Sequence, residues 1–589
     1  MDRGLCVVFG VGPLLAELAR ASDLNIVCVE TDTKKIAAAR DALQEEGIYG
    51  TRVSILEVES LQQLPLPSHF ANFVVAQWPF AGESPAGRAA EAFRLLRPSE
   101  GKGLFVHAAE GDQDRVAVQL ETYFAKDGVK AEIRSHDEGT WAHFSKPQLA
   151  GAGEWSHQYG RADNSAFGGE LLAYTSVANE LETQWIGRPG PRYQPDRNGR
   201  KPGPLATAGR LFAQGLERIV AIDGYNGTIL WSAEIPDLGR FNIPRDSSNW
   251  CADLDSVFVA IKDRCWRFDA RRGDLIQQYT LPASRSPAGP AEWSYLASEG
   301  DLLLGSATRQ GASFTEFRGH AAWYDQPKGP EAAKVCSDSL FALNKESGDE
   351  VWIYRRGLII NSTITSTPEK IYFVESRDKD LLADDARRIE SPDLWKNQFL
   401  VALDADSGEK LWEQPLETDA GESVFYLAHQ RGKLVIVASG SGKYHVTVYG
   451  DEDGQLDWED RFDWPGGKHD HGKAMSRPAM INGNLFVRPR VYDLSSGRTL
   501  AKVMPGGGCG TYACAGNFLI FRAGNITLWD HRYEIPSQWA RLRPGCWLSA
   551  IPAGGMLLAP EAGGGCSCGT WLETSVGLMP KTAKVAKPK

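Results

Sequence analysis

The rhythm of apolar and polar positions changes near residue 150. Before it, short apolar runs alternate with amphipathic stretches of helical period. Residues 4–12 carry an apolar strand into the turn Gly10-Val11-Gly12, and further strands are predicted at 25–29, 52–56, 71–76 and 103–107. Between them, Leu14–Arg20, Lys34–Glu46 and the stretch ending at Arg97 read as helices. Pro13 suits a first helical turn, and Thr31 or Asp32 is placed to cap the second helix. Strands alternating with helices predict a doubly wound, parallel, Rossmann-like sheet.

After residue 150 the helical period gives way to a recurring phrase. Asp223, Gly227 and Trp231 return as Asn344, Gly348 and Trp352, then as Asp404, Gly408 and Trp412. A weaker copy has Gly454 and Trp458, and copies without tryptophan lie at Asp269–Gly273 and Asp493–Gly497. Each is an apolar strand, a polar turn closed by glycine, and a second strand. Strand-turn-strand repeats predict a β-propeller. Anchors near 185, 231, 273, 352, 412, 458, 497 and 530 count eight blades, with seven as the alternative. The first and last segments are expected to share one blade, which removes the open edges. The predicted molecule is a multidomain α/β plus all-β chain: an α/β domain over 1–148, a propeller over 149–580, and a disordered basic tail over 581–589.

In doubly wound sheets a ligand lies at the carboxyl ends of the strands, beside the glycine turn. Gly10 and Gly12 form that turn, Glu30 ends the second strand, Glu59 follows the third, and Gln77 opens the segment Gln77-Trp78-Pro79-Phe80 after the fourth. Together with Arg97-Pro98 ahead of the fifth strand, these residues resemble class I S-adenosylmethionine-dependent methyltransferases over residues 4–145. The resemblance implies S-adenosylmethionine as cofactor. Gly10 and Gly12 would border its methionine part, Glu30 would hold the ribose hydroxyls, and Glu59 would lie near the adenine. Gln77–Phe80 is similar to the Asn/Asp-Pro-Pro-Tyr/Phe loop of amino-group methyltransferases at two of four positions. Val8 departs from the family, which usually has an acid there, and the helices that normally precede the first strand are absent. A nicotinamide-binding domain is the rival reading, ranked second because the third glycine of its fingerprint is missing.

The repeat phrase, with Trp155…Tyr159-Gly160 ahead of it, resembles the pyrroloquinoline-quinone-type repeat family. That implies that Trp231, Trp352, Trp412 and Trp458 dock each blade on its neighbour. Dehydrogenases of the family stack their quinone on a vicinal disulfide above a calcium ion. No adjacent cysteine pair occurs here, Cys566-Ser567-Cys568 being one residue off, so pyrroloquinoline quinone is not expected as a cofactor. No haem-attachment motif is present either.

A net charge of −11 without a basic run excludes a general nucleic-acid surface. No stretch reaches the ~20 apolar residues of a membrane span. Of ten cysteines, Cys6 and Cys28 are expected as inert core thiols, while Cys509, Cys514, Cys546, Cys566 and Cys568 crowd the end of the chain. Disulfides in an oxidising compartment are the favoured account of the crowding, a thiolate metal site the second. His469 and His471 could bind a metal with a third ligand from another blade, although a solvated loop is the favoured reading. The long insertion between 273 and 352, with Arg309, His320, Trp323 and Tyr324, is expected to bind a partner.

Three functions follow. The first is a methyltransferase whose propeller presents the acceptor or a protein partner. The second is a non-catalytic propeller scaffold with a degenerate methyltransferase domain, and the third is a redox or metal-binding propeller protein. Compartment signals oppose each other. Propeller and cysteines favour the cell envelope or periplasm, whereas S-adenosylmethionine use and an N-terminus with no visible signal peptide favour the cytoplasm. The sequence sets no oligomeric state.

Overall fold

A computed structural model describes residues 3–77, 89–108, 112–188, 190–191, 202–240, 246–282, 290–314, 332–418, 421, 423–466, 472–501, 503–506, 510–533, 535–542, 544–545, 547–560 and 574–581. The chain forms two compact units, Met1–Ala150 with Ile222–Leu230, and Gly151–Ala221 with Trp231–Lys589.

Seven strands make the sheet of the N-terminal unit: β1 (Arg3–Phe9), β2 (Asp23–Glu30), β3 (Val53–Glu57), β4 (Phe73–Gln77), β5 (Lys102–Ala108), β6 (Glu132–His136) and β7 (Gly139–Ser145). Their order is β3-β2-β1-β4-β5-β7-β6. The first five are parallel, as the alternation of strands and helices predicted. β7 runs antiparallel to both β5 and β6, which corrects the expectation of a wholly parallel sheet. The reversal is local: only Asp137 and Glu138 separate β6 from β7, too few residues for a crossover helix.

Strand alternation sends the two faces of β1 into separate cores. Cys6 and Val8 pack with Leu15, Ile36 and Val53, under α1 (Leu14–Ala21) and α2 (Thr33–Glu45). Val7 and Phe9 pack with Leu95 and Leu120, under α3 (Ala89–Leu95) and α4 (Gln113–Lys126). Asp32 caps α2 by accepting from the Lys34 and Lys35 amides. Cys6 and Cys28 are free, buried thiols, and burial pushes Cys28 up to about 12. Arg97, 1% exposed, is paired with Asp223 Oδ2 at 2.5 Å, and that oxygen also accepts from Asn72 at 2.6 Å.

Eight antiparallel sheets follow one another from Leu205 onward. Seven are built around four strands, and the fourth in order adds short flanking strands. The last takes Leu181–Gly187 as its outer strand, beside residues 551–580. The repeat phrase has a direct physical reading. Trp231, Trp352, Trp412 and Trp458 each donate their indole N–H to a carbonyl in the next turn along the chain: Ala270, Ala405, Asp451 and Leu494. Gly408 lies under the Trp352 ring with φ +69°, and a Cβ there would come within 2.5 Å of it. Glycine and tryptophan are therefore two halves of one contact between neighbouring sheets.

One segment visits the inner region of every sheet. Ala206 and Trp155 exchange two backbone hydrogen bonds, and Ala252 donates to Ser156 O. Ser298 donates to His157 Nε2, Ser366 to Ala162 O and His429 to Asp163 O. Met480 donates to Ser165 O, Cys514 to Ala166 O and Gly554 to Gly153 O. Buried backbone donors need partners, and here a single strip of chain provides one for each sheet in turn. Glu170 ends the strip, its carboxylate accepting from the Gly153, Gly555 and Leu172 amides.

Candidate functional sites

In the N-terminal unit, four of the predicted residues meet at the carboxyl ends of β1, β2 and β4. Gly10 has φ +86°, in the left-handed region that favours glycine, and its N–H donates to Val29 O. Glu30 is 6% exposed. Its Oε2 accepts from Val11 N at 3.0 Å, and its Oε1 from Thr31 N at 2.7 Å and Asp32 N at 3.1 Å. Burial pushes the Glu30 carboxyl up, but these three amides, aided by Lys35, outweigh it and hold the group below its ordinary range. A Cβ at Gly12 would stand 3.2 Å from Gln77 Oε1, so the turn and the end of β4 face each other closely. Glu59 is exposed, two residues beyond β3, and is not drawn into this group. Trp78–Phe80 lie outside the described residues.

The Glu30 carboxylate is ionised, three of its roughly four lone-pair sites hold backbone amides, and the remaining site on Oε2 can accept a hydroxyl.

Of the crowded cysteines only Cys514 is described, and it is a free, fully buried thiol in the inner strand Ala513–Ala515. It belongs to no disulfide, and burial raises its pKa far from the thiolate range, which corrects both expectations for this residue. Packing against Met504, Tyr512 and Leu519 accounts for its place. Cys509, Cys546, Cys566 and Cys568 lie outside the described residues, as do His469, His471, His320, Trp323 and Tyr324. Among the described residues no group of three His, Cys, Asp or Glu side chains could hold a metal ion. No described helix is long and apolar enough to cross a membrane.

The second unit contains a buried polar network that the sequence reading did not assign. Arg240 and Asp246 form a fully buried ion pair at 2.6 Å. Ser294, Ser313, Ser337 and Asn361 join it through hydroxyl and amide hydrogen bonds. Beside it lies a cavity of about 30 Å³ lined by His157, Gln158, Tyr159, Asp246, Trp250 and Asn361, among others. That is the room of about one water. His157 is neutral: burial, with Lys345 nearby, lowers it to about 4. Because Nε2 accepts from the Ser298 amide, Nδ1 carries the proton and faces Ser156 Oγ at 2.8 Å. The Trp155–Gly160 phrase was the available signal; its role depends on partners in distant repeats.

A family model described as outer membrane protein assembly factor BamB matches residues 396–504. Among solved structures, a europium-containing methanol dehydrogenase is 12% identical, covers 69% of this chain and 88% of its own, and gives a TM-score of 0.46. BamB from Moraxella catarrhalis is 12% identical over 68% of this chain and 99% of its own, with a TM-score of 0.39. A SAM-dependent methyltransferase from Aquifex aeolicus is 11% identical over 24% of this chain and 80% of its own, with a TM-score of 0.20. No curated protein matches the chain. Residues 396–504, within the second unit, are thus similar to the BamB repeat family.

Proposed function

We propose that this protein is an S-adenosylmethionine-dependent methyltransferase whose eight-bladed propeller presents the acceptor or a protein partner. The observation that carries the reading is the Glu30 carboxylate, ionised at the end of β2, bound to the glycine turn and keeping one lone-pair site on Oε2. Gly10 and Gly12 leave the ligand room to approach the backbone, and Gln77 stands across from them at the end of β4. When bound, S-adenosylmethionine supplies an electrophilic methyl group on a sulfonium. The contribution of the protein is positioning, with no step assigned to a general base. The eight-blade count is supported by eight successive sheets, each hydrogen-bonded to the segment from Gly153 to Ala166.

A second reading, a propeller scaffold with a degenerate methyltransferase domain, is favoured by the share of the Glu30 carboxylate already taken by backbone amides. Calorimetric titration of the full chain with S-adenosylmethionine and S-adenosylhomocysteine separates the two. Binding that weakens about 10- to 100-fold in Glu30→Ala supports the first reading, since a hydrogen bond to a charged group is being removed. Failure of the folded wild-type protein to bind either ligand refutes it and leaves the scaffold.

A further inference from the structure

Each of the eight sheets has an outermost strand, and an edge offers its unpaired N–H and C=O groups to any other chain. Charges, prolines and short length blunt such edges. Seven of the eight have one of these. Ile229–Glu234 ends in Glu234, Glu350–Tyr354 begins with Glu350, and Lys410–Leu416 contains Lys410 and Pro415. Leu456–Asp463 contains Asp457, and Leu181–Gly187 contains Glu182. Thr499–Ala501 and Ser537–Gln538 are three and two residues long.

The edge of the second sheet, Leu275–Thr280, is different. It reads Leu-Ile-Gln-Gln-Tyr-Thr, six residues without a charge or a proline. Leu275 and Ile276 are 45% and 50% exposed. The strand keeps only the bulge that the repeat turn also gives to neighbouring sheets. It pairs with Arg264–Asp269 on one side, and no described backbone group bonds it on the other. Tyr279 is buried, and its hydroxyl donates to Lys345 O at 2.6 Å. The edge is therefore held in place before any partner arrives, which lowers the cost of pairing.

Charge selects the partner. A two-fold axis perpendicular to the sheet lays the strand antiparallel to its own copy. Gln277 or Gln278 then lies beside itself, where two amides can bond each other, with apolar residues, Tyr279 and Thr280 around them. No like charges meet within the pair. The nearest charge, Arg264, lies one strand back and donates to Gln278 Oε1 at 3.0 Å. The same operation on Leu456–Asp463 would gather Asp457, Glu459, Asp460 and Asp463 from both copies. We infer that Leu275–Thr280 is a self-association edge, through which two copies of this chain join their second sheets into one antiparallel sheet. A single strand pair covers less than the ~1,000 Å² of a stable interface, so the dimer is weak and reversible.

The test is sedimentation velocity of the full chain over roughly 5 to 500 µM, a range that spans a weak association. Amide hydrogen exchange is followed at both ends of that range. A reversible monomer–dimer equilibrium is expected, with exchange in Leu275–Thr280 slowing as concentration rises. Ile276→Lys should weaken association at least about tenfold. Leu456→Lys, at an equally exposed site on the fifth edge, should leave it unchanged. Gln278→Lys and Gln278→Glu should each weaken it alone and restore it when mixed, since unlike charges then meet across the axis. A protein that stays monomeric throughout overturns the inference and leaves the edge to a different chain. So does a dimer that persists in Ile276→Lys, or one whose Leu275–Thr280 amides exchange as fast as in the monomer. A mixture of the two Gln278 variants that associates no better than either alone also overturns it.

Discussion

Gly408 isolates the contact on which the repeat is built. A Cβ there would meet Trp352 Cδ2 at 2.5 Å, and φ is +69°. In Gly408→Ala the left-handed backbone costs about 1–2 kcal/mol, and displacing a packed ring costs about 1–3 kcal/mol more. Gly442 provides the control, since its φ is +84° and nothing lies within 4 Å of the added Cβ. Gly442→Ala should therefore carry the backbone cost alone, about 1–2 kcal/mol. Global melting of a two-unit chain is not a two-state measurement, so the suitable assay is native-state hydrogen exchange of nearby amides. The Asp404 N–H, bonded to Glu409 O at 2.8 Å, reports on the first site, and the Trp464 N–H, bonded to Gly442 O at 2.8 Å, on the second. Gly408→Ala should speed exchange by about 30-fold or more, and Gly442→Ala by roughly 5- to 30-fold. In a Trp352→Ala background the Gly408→Ala effect should shrink to the backbone cost. Equal effects at both glycines, or strict additivity with Trp352→Ala, would show that glycine serves the turn alone and refute the shared contact.

Two further outcomes are expected. Within the N-terminal unit, Asp223→Ala leaves the buried Arg97 with Glu100 alone, at 3.1 Å, and should destabilise by about 1.5–3 kcal/mol as read by native-state hydrogen exchange. Asp404→Ala removes an exposed turn cap and should cost only about 1 kcal/mol, so equal losses would sink the argument. His157 gives a pH signature. Its folded pKa of about 4 lies below the ordinary 6.5, so its contribution is whole above pH 6.5 and is lost as pH falls toward 4, on the order of 3 kcal/mol. Glu154 and Glu299, raised to about 7 by burial, act in the opposite sense between pH 7 and 4.5 and mask part of the loss. Relative to wild type, His157→Gln should gain stability between pH 7 and pH 5; a difference that stays flat with pH would contradict a neutral buried imidazole.

What the sequence disclosed was whatever repeats or alternates locally. The Asp-Gly-Trp phrase pointed to sheets docked by tryptophan because turn, glycine and ring lie within a dozen residues. The glycine turn and Glu30 were legible for the same reason: each sits at the end of an apolar run. Partnerships made across long separations left no such trace. Asp223 looks like the other turn acids, yet it also binds Arg97, 126 positions away. The reversed β7 was missed because a two-residue hairpin interrupts the alternation of strand and helix on which the parallel reading rested.

The strip from Gly153 to Ala166 has a consequence for how this protein is made. It leaves the ribosome before every sheet it serves, and its last partner, Gly554, is synthesised some four hundred residues later. At ~5–20 residues per second, the strip waits tens of seconds with hydrogen-bonding groups still unmatched. An open array of repeats can stop early and lose only its final unit. Here each missing sheet also unpairs a residue of the strip that precedes all eight. Completion of the last sheet is thus required before every residue of the strip has its partner.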